Sequence, residues 1–163
     1  MKLTRKILLT CSILIYFSAC KPPLPIKNLD ACPVTTPAQQ ASYLPTITDY
    51  EGRFWYGTPA LWTNLPTDGI WHGLPQNGDG YVQKAVFWRE GYSASEEPNP
   101  DLIVSGRRVD GSSERFSYSD ATHGWDETGN FMLQGITIPT EGCWEITAKY
   151  QDSLLTYVVE VIP

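Results

Sequence analysis

The chain has 163 residues, with 12 Lys and Arg against 18 Asp and Glu and a formal net charge of −6. All 18 acids follow residue 20, so the remainder holds nine basic residues and a net charge of −9. Acidity without clustered Lys or Arg excludes a nucleic-acid partner and charge-driven adhesion to anionic headgroups, and the length beyond residue 20 suits one domain.

The first segment carries Lys2, Arg5 and Lys6, then an apolar run from Ile7 to Phe17 softened only by Thr10 and Ser12. The run is too short for a membrane-spanning helix and has the length of a signal-peptide core. Ser18 and Ala19 are small, and Cys20 follows. Phe17-Ser18-Ala19-Cys20 resembles the lipobox of bacterial lipoproteins. A rival, Leu8-Leu9-Thr10-Cys11, leaves almost no apolar run ahead of it. The resemblance implies that residues 1–19 are a removed signal peptide and that Cys20 carries diacylglycerol, often with acylation of the new amino terminus. It also implies export and anchoring to membrane lipid, with Lys21 favouring the outer membrane of a Gram-negative cell. Each buried methylene contributes about 0.8 kcal/mol, so two or three chains hold where one is marginal.

Residues 20–50 read as the lipidated cysteine and a tether. Pro22, Pro23, Pro25, Pro33, Pro37 and Pro45 fall here without apolar periodicity, which favours extended polyproline conformations. With Cys11 removed and Cys20 acylated, Cys32 and Cys143 are the two remaining thiols. In an oxidising compartment they are expected to form a disulfide that pins the tether to the domain.

Residues 51–163 read as an all-β domain, an antiparallel sandwich. Turn residues recur between short β-branched and aromatic runs, for example at Asn77-Gly78-Asp79-Gly80, Asp110-Gly111 and Thr140-Glu141-Gly142. Strands are predicted over Val82–Arg89, Leu102–Val109, Arg115–Tyr118, Phe131–Ile138, Cys143–Tyr150 and Leu154–Ile162, with an earlier one including Phe54–Tyr56. Gly106 predicts a bulge or bend, and Arg107 and Arg108 point to opposite faces, one in reach of Glu90 or Asp110. Trp144, Ile146, Ala148 and Tyr150 share one strand face, as do Leu155, Tyr157, Val159 and Val161, which predicts a hairpin with one buried side. Gly142-Cys143-Trp144 and this hairpin resemble the closing strands of immunoglobulin-like domains of bacterial surface proteins.

Phe54-Trp55-Tyr56-Gly57, Leu61-Trp62 and Gly69-Ile70-Trp71-His72-Gly73 place three tryptophans between Gly and Pro residues. On loops, Trp55, Trp62 and Trp71 would stack on sugar rings or anchor a protein interface; in strands they would fill a small core. With Phe87-Trp88-Arg89-Glu90-Gly91-Tyr92, Ala31-Cys32-Pro33-Val34-Thr35 and Gly142-Cys143-Trp144-Glu145-Ile146-Thr147, these segments are similar to a family of uncharacterised bacterial lipoproteins, a resemblance that implies no activity.

No Gly-x-Ser-x-Gly elbow, phosphate loop or zinc-protease motif occurs. His72 and His123 lie far apart, each without a partner at ligand spacing. Asn77, Asp79 and the Asp126-Glu127 pair do not fit a calcium loop, and turn chemistry explains them. The expectation is a lipid-anchored, non-catalytic binding or adaptor domain with no cofactor and no metal, whose partner is a protein or a peptide. A carbohydrate-binding module working through Trp55, Trp62 and Trp71 is the alternative, and a hydrolase gathering a histidine with carboxylates is a third reading.

Overall fold

The computed structural model describes residues 31–39, 51–126 and 129–163. Cys20 and most of the tether lie outside the described residues. The strands are β1 (Arg53–Thr58), β2 (Leu61–Pro66), β3 (Ile70–His72), β4 (Gln76–Asn77), β5 (Gly80–Trp88), β6 (Leu102–Arg108), β7 (Arg115–Tyr118), β8 (Thr122–Asp126), β9 (Gly129–Ile138), β10 (Gly142–Tyr150) and β11 (Ser153–Ile162). They form two sheets packed face to face. Sheet I runs β1-β2-β5-β9-β8, with β4 beside the start of β5, and sheet II runs β3-β11-β10-β6-β7. Every pairing is antiparallel except β3 with β11. The domain is an all-β sandwich.

Alternation drives the packing. In β10, Trp144, Ile146, Ala148 and Tyr150 turn inward; in β11, Leu155, Tyr157, Val159 and Val161 do the same, and all eight are buried. Sheet I answers with Phe54, Leu61, Leu65, Ala85, Phe87, Met132, Ile136 and Ile138 in the same cluster. Burying each large aliphatic or aromatic side chain stabilises by roughly 1.5–3 kcal/mol. Trp144 is fixed further: its Nε1–H donates to the Thr140 carbonyl at 3.0 Å, and the Arg108 guanidinium lies over its ring, 5.8 Å from the centroid.

Gly106 makes no bulge. It sits in unbroken register between Ile146 and Phe116, and the Phe116 ring occupies the space that a Cβ there would need. The glycine thus serves ring packing rather than a bend. Arg107 and Arg108 do face opposite ways, and Arg108 pairs with Asp110.

Cys32 and Cys143 are joined, with Cα atoms 5.4 Å apart and 111 positions between them in sequence. The strap after Cys32 then meets the edge of β11. Thr35 N–H donates to the Val158 carbonyl at 2.8 Å, and Val158 N–H donates to Thr35 Oγ1 at 2.9 Å. β3 takes over along the same edge, pairing with Glu160 to Ile162. Strap and β3 together cover backbone groups that an edge strand would otherwise present.

Candidate functional site

The register gives the sandwich two ends. Near the disulfide lie the start of β10, the end of β6 and the end of β11. Arg108 at the end of β6 donates to Thr140 Oγ1, just beyond β9, so β9 also finishes at this end. The opposite, far end holds the close of β10, the start of β11 and the β8–β9 hairpin. There Arg89, just after β5, donates to Gln151 Oε1 at 2.7 Å.

The three tryptophans offer no binding surface. Trp71 is 4% exposed and belongs to the cluster between the sheets, because its partner in register is the inward-facing Val161. Trp55 and Trp62 lie outside that cluster, on the opposite face of β1 and β2 from Phe54 and Leu65, and are 2% and 0% exposed. Rings buried to this degree have no free face for a sugar, so the carbohydrate reading through Trp55, Trp62 and Trp71 is corrected. Beside them the Arg53 guanidinium donates to the Asn64 side-chain oxygen and, at 2.8 Å, to the Asn64 carbonyl. Burial lowers the Arg53 pKa from its ordinary value.

The two large hydrophobics standing exposed among the described residues are Trp125 at 77% and Leu154 at 70%. Both sit at the far end. Trp125 is the fourth residue of β8, the last strand of its sheet, opposite Asn130 of β9. Leu154 is the second residue of β11, on the outer face of sheet II, opposite Lys149.

A loop from Arg89 to Asp101 lies at the same end and is firmly tied. Tyr92 Oη–H donates to the Glu97 carbonyl at 2.9 Å, and Tyr150 Oη–H donates to the Glu97 carboxylate. Asp101 N–H donates to the same carboxylate at 3.3 Å. Burial, then the bond to Glu97, pushes the Tyr150 hydroxyl up to about 12, and burial raises Tyr92 too. His123 Nδ1 lies 2.9 Å from the Pro98 carbonyl, which can only accept, so Nδ1 carries the proton and stitches the loop to β8.

His72 stands at the other end, 3.0 Å from Asp68, whose carboxyl pKa is lowered first by the Ile70 N–H and then by the imidazole. The two histidines are therefore not brought together. Asn77 Oδ1 accepts from Asp79 and Gly80 N–H groups at 2.9 and 3.0 Å, which is turn chemistry. Among the described residues no three His, Cys, Asp or Glu side chains converge as metal ligands.

The chain matches no protein-family model, no curated protein and no solved structure.

Sequence reasoning missed Trp125. Thr122-His123-Gly124-Trp125-Asp126 has a single large apolar residue and a glycine, so it shows no alternation. Only the register across β9 turns it into a strand. Gly124 is what makes that pairing close, since the Phe131 ring lies where its Cβ would be.

Proposed function

We propose that the protein is an exported lipoprotein, joined to membrane lipid through Cys20, whose sandwich is a non-catalytic adaptor that holds a protein partner at its far end. One observation carries this reading: the exposed Trp125 and Leu154 lie at the end of the sandwich opposite the Cys32–Cys143 bond. Large exposed aromatics on a rigid scaffold are common anchors of protein interfaces. Residues 21–31, at about 3.1 Å each, give a reach of about 34 Å between Cys20 and the disulfide. The nine residues of β10 add about 30 Å to the far end. The tied loop lowers the ordering cost of binding, because little of it remains to be immobilised.

A photocrosslinking residue placed at Asn99, on the far-end loop, tests this in cells against the same residue at Asp79 near the other end. The expected result is one discrete protein adduct from Asn99, weakened when Cys20→Ser releases the chain from the membrane. Adducts from Asp79 alone would sink the reading.

A further inference from the structure

The outer face of sheet II carries two rows of polar side chains, each running straight across neighbouring strands. The first row is Glu145, Arg107 and Arg115 on β10, β6 and β7. The second is Thr156, Thr147, Ser105 and Ser117 on β11, β10, β6 and β7. Between the rows lies a shallow concavity of about 310 Å³, floored by Gly106 and Phe116 and lined otherwise by the polar residues of the two rows on β10, β6 and β7.

Folding does not account for this charge pattern. Arg107 and Arg115 are direct cross-strand partners, and like charges so placed destabilise a sheet. Glu145 offsets one of them: Arg107 Nη2 lies 2.7 Å from Glu145 Oε1, while the Arg107 side chain stays 66% exposed. Among the described residues no carboxylate pairs with Arg115, whose Nε–H reaches only the Ser113 carbonyl at 3.4 Å. The adjacent Arg108 shows the contrast. It is gripped by Asp110, the Thr140 hydroxyl and the Glu141 carbonyl, which is a structural role. An acidic chain therefore presents two guanidiniums side by side with one positive charge in excess.

The hydroxyl row adds a second kind of recognition. Thr147 and Thr156 hydroxyls lie 3.0 Å apart, and Ser105 donates to the Thr147 carbonyl at 3.4 Å. Each hydroxyl can still donate or accept outward, from strands spaced about 4.8 Å apart. Guanidinium forks match the two oxygens of a carboxylate, and a spaced hydroxyl row matches the ring hydroxyls of a sugar.

We propose that this face binds an acidic saccharide, with its carboxylate on Arg115 and Arg107 and its hydroxyls along Ser117, Ser105 and Thr147. The site needs neither the buried tryptophans nor the far-end surface, and it stands whether or not Cys20 is acylated.

The test is nuclear magnetic resonance of the full chain, isotope-labelled and held in a neutral detergent, titrated separately with glucuronic acid, glucose and inorganic phosphate. Glucuronic acid is expected to shift the Arg107 and Arg115 side-chain signals and the Ser105, Ser117 and Thr147 amides. Glucose should act more weakly, and phosphate on the arginines alone. Arg115→Gln should weaken glucuronic acid binding roughly tenfold, the effect of losing a charge-assisted contact. Lys149→Gln, which removes a positive charge elsewhere on the same face, should leave it unchanged. The proposal is overturned if none of the three probes shifts this face, or if the shifts map to another surface. It is likewise overturned if phosphate reproduces the whole pattern, or if both variants weaken binding equally.

Discussion

Removing the Cys32–Cys143 bond by a Cys32→Ser, Cys143→Ser double substitution should cost the domain a large share of its stability. The bond joins residues 111 positions apart, and in the chain-entropy model closing a loop of that length restricts the unfolded chain by about 4.8 kcal/mol at 25 °C. A domain of this size is stable by roughly 5–15 kcal/mol. With a urea slope of about 2 kcal/mol per M, the midpoint should fall by about 2.4 M with the slope nearly unchanged. Tryptophan fluorescence reports the transition, since Trp62 and Trp144 are fully buried. The folded state should survive in part because Thr35 still exchanges two hydrogen bonds with Val158. Thr35→Ala in the oxidised chain measures that second fastening: it leaves the half-buried Val158 N–H without its acceptor, at a cost of about 0.5–1.5 kcal/mol. A midpoint shift below about 0.5 M in the double variant would refute the argument, because the unfolded chain would then not be what the bond constrains.

Trp125→Ser should abolish the adduct formed from Asn99 while moving stability by less than about 0.5 kcal/mol, since the ring is largely exposed; a thermal melt checks the second half. Gly106→Ala should destabilise by about 1–3 kcal/mol through overlap with the Phe116 ring, and a matching loss in a urea melt with Phe116→Leu in the same chain relieving it would fix the cause. Alkaline pH should also destabilise. The Tyr150 hydroxyl holds its proton up to about 12 in the folded chain against an ordinary 10, so its contribution is complete below pH 10 and is lost as pH rises toward 12. Tyr157, buried between the sheets, is shifted the same way. Tyr150→Phe should flatten part of the alkaline fall in urea midpoint, and an unchanged slope against pH would refute the assignment.

Where a strand has one wet face, the sequence announced it. β10 and β11 alternate cleanly because their inner residues meet sheet I and their outer residues, such as Glu145 and Thr156, meet solvent. β2 was unreadable for the opposite reason: Leu61 through Leu65 are all buried, so both faces are covered and no period of two survives. A run bracketed by glycines and ending in Pro66 shows no strand period, so the sequence leaves Trp62 open between a surface and a core position. Elimination among four cysteines was enough to pair Cys32 with Cys143. The Arg107–Arg115 juxtaposition and the hydroxyl row were out of reach, since they exist only once four strands are in register.

The two surfaces differ in how well the fold guards them. Along sheet II, the β11 edge is occupied by the strap at Val158 and by β3 from Glu160 to Ile162, so an incoming strand finds few free backbone groups there. The other edge of that sheet is β7, only four residues long, which is itself a common protection against pairing. β8 closes sheet I with five residues, contains neither proline nor lysine, and carries Trp125 beside its unpaired side. A partner that adds an extended segment to β8 would gain main-chain hydrogen bonds and seat a side chain against the indole, the usual division between affinity and specificity in strand addition. His123, by holding Pro98 against β8, keeps the loop from Arg89 to Asp101 in place beside that strand. The opposite edge of sheet I, the six-residue β1, likewise contains neither proline nor lysine, so what singles out β8 is the exposed indole of Trp125 rather than a missing protection.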